Sequence, residues 1–208
     1  MQLSKIKEFT PGMGFKNLNI FKQFLNKYPE SLDPDFSFSE IENENLLEFL
    51  LLNFSMINNK NLANILDFLV QQNNNFIIHS NNLFQKAIIM HDPGELWEVT
   101  KFLNNHSYDF ENDPGVFSLI SNMQMVDEEQ LSNSIDNYGK IYKKITDFIL
   151  KNFKSKDNLQ KILKKIEEKD LVDSLKENQI YHLIESKLIE LEMLEQVNIP
   201  SDKKNQKI

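Results

Sequence analysis

Four histidines, His79, His91, His106 and His182, are the side chains best suited to proton transfer or metal binding near neutral pH. No two of them stand in an H-x-x-x-H pair or another metal-ligand spacing. His106 with Asp109 and Asp113 could chelate a cation, although the same residue types suit an ordinary polar loop. His91-Asp92 pairs a base with a carboxylate, yet Asp92 also stands where a helix needs a cap. Serines are plentiful, but no G-x-S-x-G turn occurs, and the five glycines are too scattered to cradle a phosphate. The chain has no cysteine, which excludes disulfides, thiolate zinc sites and thiolate nucleophiles. It also has no arginine, so the planar forks that grip phosphates and guanine edges are missing. No cofactor and no metal is therefore expected. Acid–base work by a lone histidine or carboxylate is the enzymatic chemistry that stays open.

Recognition is better served than catalysis. Trp97, the single tryptophan, falls at a helix position that the chain's repeats make polar and outward, where it would serve as an anchor. Packing on a neighbouring helix is the equal alternative. The segment His106, Tyr108, Asp109, Glu111, Asn112 gives an aromatic residue an acidic rim, which suits a basic partner surface. These six are the candidate protein-binding residues.

The elements that must carry them are helices. Residues 92–103 read DPGELWEVTKFL, and Asp-Pro-Gly returns at 113–115. In each copy the aspartate can cap a helix and the proline can take the first helical position, where its missing N–H is harmless. Three segments superpose. Leu18/Phe21/Phe24/Leu25, Leu62/Ile65/Phe68/Leu69 and Leu96/Val99/Phe102/Leu103 each keep a spacing that puts four apolar side chains on one helical face. A weaker fourth copy begins at Leu131 and keeps Tyr138, with Ser134 at an apolar position. A second set of helices starts near Leu46, Leu83 and Val116. Asn82 with Gln85, and Asp127 with Gln130, fit capping boxes. Polar stretches ending at Phe36, Phe76 and Phe110 follow the long helices. The unit is thus helix, turn, helix, polar loop, recurring about every 34 residues. One such hairpin cannot bury its own apolar face, so neighbours must stack.

That period and pairing resemble the ankyrin-repeat family over residues 14–138. Gly94, two before Leu96, is similar to the family's turn glycine, and Asp109-Phe110 to the Asp-Val after its loop. The chain departs from the family in several places. No copy carries Thr-Pro-Leu-His, Lys101 takes an apolar place, and the loop has one extra residue. His106 or an asparagine replaces the second glycine. The resemblance implies a stack of helical hairpins that binds another protein.

From Tyr138 the pattern becomes a run of amphipathic stripes through Leu194, with Asp157 and Gln160 placed to cap a helix. The expected division is 14–138 for the repeats, 139–196 for a C-terminal helical segment and 197–208 for a flexible tail. Glu185, Glu190, Glu192 and Glu195 form a block that is similar to the translocation signals of effectors exported by bacterial type IV secretion systems.

Charge and hydropathy narrow the partners. The net charge of −8 disfavours nucleic acid. The lysines of 151–169 are mixed with Asp157, Glu167 and Glu168 and read as a solvated helix face. No apolar run reaches the roughly 18 residues that span a bilayer, and the start lacks a continuous apolar signal core. The expectation is an all-α, non-catalytic, protein-binding helical solenoid, cytoplasmic or exported to a host cytoplasm. Two other classes stay open: an enzyme with a scattered acid–base site, and a helical protein that homodimerises through residues 138–196.

Overall fold

The computed structural model describes residues 17–36, 44–52, 59–80, 82–90, 92–125, 137–177 and 179–197. Among them the chain forms eleven α-helices and no strand, as the 3.6-residue periodicity predicts. They fall into two compact units, divided after Gly115.

The first unit begins with α1 (Leu18–Lys27), where the Asn17 side chain accepts the Ile20 N–H at 3.1 Å. A 3₁₀ turn follows at Pro29–Leu32. Next come α2 (Leu46–Leu52), α3 (Asn59–Gln72), the short α4 (Asn75–His79), α5 (Leu83–Met90) and α6 (Pro93–Asn105). A 3₁₀ turn at Phe110–Asn112 leads to the start of α7 (Pro114–Asn122), whose residues from Val116 on belong to the second unit. Corresponding helices meet: α3 packs against α1 and α6, and α2 against α5, while α2–α3 and α5–α6 pair as neighbours.

The apolar stripes explain this packing. Leu96, Val99, Phe102 and Leu103 of α6 are all buried, as are Phe21, Phe24 and Leu25 of α1 and Ile65 and Leu69 of α3. Leu18 and Phe68 are half-buried, and Phe68 meets Phe21 edge to face at 6.4 Å. Each full burial of such a side chain stabilises by about 1.5–3 kcal/mol. The Leu62 side chain, the expected Asp127–Gln130 cap and most of the fourth copy, Leu131 and Ser134 included, lie outside the described residues.

Caps settle where the helices start. Asp92 accepts the Glu95 N–H at 2.9 Å and Pro93 opens α6, as its sequence predicts. At α2, Asn45 and Glu48 cap each other's backbone N–H at 3.1 Å in both directions. Glu48 also takes the Lys86 ammonium of α5 at 2.9 Å, and the Asn45 amide donates to Ser80 at 2.8 Å. These contacts tie the start of α2 to the next hairpin.

In the second unit, α8 (Asn137–Lys151), α9 (Lys156–Glu168) and α10 (Val172–Glu177) all pack against α11 (Ile180–Val197) where they meet it. Ile145, Ile149, Phe153, Leu159, Ile166 and Ile184 fill its core. The cap of α9 is Ser155, which accepts the Asn158 N–H at 3.2 Å, and not the expected Asp157. Ser155 has the extended backbone that a cap requires, whereas Asp157 already lies in the first helical turn, where its charge suits the helix dipole.

Candidate functional site

The loop after α6 is fixed at its root by the end of the helix. Tyr108 N–H reaches the Leu103 carbonyl at 3.0 Å and Ser107 N–H the Asn104 carbonyl at 3.0 Å. This is the Schellman arrangement, and its left-handed residue is Ser107, with φ 57°. The repeat alignment expected His106 or an asparagine in that role. His106 instead keeps a negative φ, lays its ring 4.8 Å from Phe102, and donates from Nε2 to Asp67 of α3 at 3.0 Å.

Residues 108–113 then turn back onto α5. The first helical N–H groups of α5 need acceptors. Leu83 N–H donates to the Tyr108 hydroxyl at 2.9 Å, and Phe84 and Gln85 N–H donate to the two carboxylate oxygens of Asp113 at 3.0 and 3.1 Å. Asp113 also accepts the Tyr108 O–H at 2.5 Å and the Gly115 N–H at 2.7 Å. One buried carboxylate, 5% exposed, therefore caps α5 and α7 together. The expected Asn82–Gln85 box does not form this cap. Asn82 sits at φ 54°, away from the extended backbone of an N-cap, and the Gln85 N–H goes to Asp113.

Burial, then the adjoining Asp113 carboxylate, pushes the Tyr108 hydroxyl well above the ordinary phenol range. The protonated, donating form is thus favoured in the folded chain. Its contribution to stability is full below the unfolded phenol pKa of about 10 and falls as pH rises beyond it. Tyr108→Phe should cost about 1–3 kcal/mol at pH 7, because it orphans the Leu83 N–H and removes a donor from Asp113. Urea unfolding at pH 7 and pH 10.5 checks both parts: the wild type should lose more stability than the variant over that interval. Equal losses would remove Tyr108 as the titrating group.

Between residues 77–82 and 107–113 lies an open cleft of about 370 Å³. Ile77, Ile78 and Ser80 line it from one segment, and Tyr108, Asp109 and Asn112 from the other. Ile78 is 73% exposed. Asp109 holds its own turn, accepting the Glu111 N–H at 3.1 Å and the Asn112 side-chain amide at 2.6 Å. Of the six candidate residues, the structure brings Tyr108, Asp109 and Asn112 together at this cleft. His106 and Glu111 flank them in the chain without lining it. Trp97 lies apart, half-buried on α6, with the Lys101 ammonium 5.7 Å from its ring. Ile77, Ile78 and Ser80 were not singled out in the sequence. The polar stretch before Phe76 is the local signal in this segment, and the apolar pair after it has no periodic pattern.

His106, Asp109 and Asp113 form no common centre, since each is engaged elsewhere. Among the described residues no three histidines and carboxylates converge as a metal site. His79 donates to Asp35 at 2.9 Å, and His182 lies 3.3 Å from Glu185. His91 lies outside the described residues. The glutamate block sits on α11, where Glu190 pairs with Lys187 and Glu195 with Lys156 at 3.0 Å each. The hydrogen bond it donates to Glu195 holds the Lys156 ammonium above its ordinary pKa. Among the described residues no helix is long and apolar enough to cross a membrane.

In comparisons with protein-family models, curated proteins and solved structures, nothing matches this chain.

Proposed function

We propose that this chain is a non-catalytic protein-binding module built on ankyrin-like helical hairpins, with the loops of residues 106–113 and their neighbours as the contact face. The pairing of like helices, α3 with α1 and α6 and α2 with α5, supports the stacked-hairpin reading. The cleft beside Tyr108, Asp109 and Asn112 carries the functional part, because a stacked repeat presents its loops as a recognition surface. Its acidic rim and solvent-exposed isoleucine suit a protein partner better than a phosphate-bearing one. The glutamate block of α11 supports the narrower proposal of an effector exported from a bacterium into a host cell.

The full chain, immobilised in host or native lysate, should capture a partner identifiable by mass spectrometry. The purified pair should then bind saturably in calorimetry. Asp109→Asn with Asn112→Ala should weaken that binding at least tenfold, while the acceptor kept at position 109 leaves the melting temperature of the chain nearly unchanged. Equal binding by the double variant would move the contact face to Trp97. Loss of cellular effect from alanine at His79, His91, His106 or His182, taken one at a time, in a variant that still folds and binds, would favour an acid–base enzyme instead.

A second reading rests on α11, which exposes Ile189, Met193 and Leu194. These side chains would suit a homodimer through the C-terminal helices, and a concentration-dependent mass in light scattering would favour it.

A further inference from the structure

The cleft's charge is one-sided. At its edge the Tyr108 hydroxyl donates to Asp113, and one N–H of the Asn112 amide donates to Asp109. Asp113 is saturated, with four hydrogen bonds. Acceptor capacity remains. Each Asp109 oxygen takes one hydrogen bond from its own turn and has a lone pair over, and the Asn112 amide oxygen stands beside it. Among the described residues lining the cleft there are two carboxylates and no cationic side chain.

The surroundings share this bias. Segments 28–36, 73–82 and 106–113 contain Glu30, Asp33, Asp35, Asp109, Glu111 and Asp113, and not one lysine. Their two histidines, His79 and His106, are already hydrogen-bonded to Asp35 and Asp67. The charge is uneven along the chain as well. Residues 1–115 hold 8 lysines against 15 carboxylates, while residues 116–208 hold 15 against 16. The first unit therefore carries nearly all of the net charge, and its field attracts cationic partners. Next to the spare acceptors stands Ile78, 73% exposed, an apolar contact that a bare ion would not use. The volume, about 370 Å³, is at the small end of ligand clefts, which run from about 300 to 1,000 Å³.

We infer that the cleft between residues 77–82 and 107–113 receives a lysine- or arginine-bearing segment of a partner protein, its cation on Asp109 and Asn112 and an adjoining apolar side chain on Ile78. This inference rests on the protein-binding reading and specifies what the partner must present. Electrostatic attraction of this kind speeds encounter and weakens with salt.

The test uses the full chain and a phage-displayed library of random dodecapeptides. Selection is run on the wild type and on the Ile78→Ser/Asp109→Asn variant. Asparagine keeps the acceptor that holds the turn, and Ile78 is largely in solvent, so the variant should melt like the wild type. The expected result is enrichment of peptides with a basic residue next to an apolar one. Synthetic copies should bind the variant at least tenfold more weakly, and bind the wild type more weakly in 0.5 M salt. Backbone amide shifts on binding should concentrate in 77–82 and 107–113. Acidic or neutral peptides, no peptides, or equal affinity for the variant would overturn the proposal. So would displacement of the peptide by equimolar spermidine, which would mark a site for free organic cations. A partner captured from lysate that binds wild type and variant alike would leave the module standing and remove only the cleft.

Discussion

Asp113→Ala should lower the unfolding free energy by about 3–5 kcal/mol, roughly four hydrogen bonds at about 1 kcal/mol each plus the cost of leaving buried donors unpaired. The substitution exposes a fault in two helices at once. Phe84 and Gln85 lose their acceptor at the start of α5, and Gly115 loses its acceptor at the start of α7. The Tyr108 hydroxyl loses the acceptor that orders it. Asp113→Asn should fall between alanine and the wild type, since it keeps one acceptor oxygen but turns a donor toward other donors. Equilibrium urea unfolding followed by helical circular dichroism measures the series. A loss below about 1 kcal/mol for alanine would mean that water replaces the carboxylate at both helix ends.

The two Asp-Pro-Gly copies should respond oppositely to alanine. A Cβ on Gly115 would lie 2.5 Å from the Gln85 backbone nitrogen and 2.6 Å from its Cα. Backbone cannot swing aside as a side chain can, so residues 113–115 and the start of α5 would have to part, loosening the Asp113 cap between them. Gly115→Ala should cost about 3 kcal/mol, the upper part of the range for overpacking. A Cβ on Gly94 would approach only the Asp92 carboxylate, at 3.2 Å. There the better helix propensity of alanine, worth up to about 1 kcal/mol, should leave the variant as stable as the wild type or slightly more so. Differential scanning calorimetry of the pair decides the matter; similar melting temperatures would show that the close approach of Gly115 to Gln85 relaxes without cost.

What was legible in the sequence is what depends on near neighbours. Asp92, Pro93 and the stripe from Leu96 to Leu103 act over three to seven residues, so their types alone predicted both the start of α6 and its buried face. The second Asp-Pro-Gly copy announced a helix start just as plainly. It could not announce that the same aspartate serves α5, because that partner lies 28 and 29 residues earlier in the chain, at Gln85 and Phe84. The same distance hid the true role of Tyr108. Its ring looked free for a partner, and its hydroxyl is part of a cap. Asn82 and Asp157 failed as caps for a local reason, since a suitable side chain does nothing without the extended backbone that aims it. The cleft was half legible. Its acidic side lay in a loop that the repeats mark for contact, while Ile77, Ile78 and Ser80 come to it only through folding.

The cap on α5 also has a direction in time. A chain made from its N-terminus has completed residues 83–90 well before residues 108–113 exist. During that interval the leading turn of α5 can be satisfied only by water or by temporary neighbours. The hairpin before it differs, since the Asn45–Glu48 box closes the start of α2 from within and only the Asn45 side-chain amide waits for Ser80. The start of α5 is thus closed by chain that is synthesised after it. A fragment ending at 105 would hold every residue of α5 and α6 and still lack the lock on α5, whereas ten further residues supply Tyr108, Asp113 and Gly115 together.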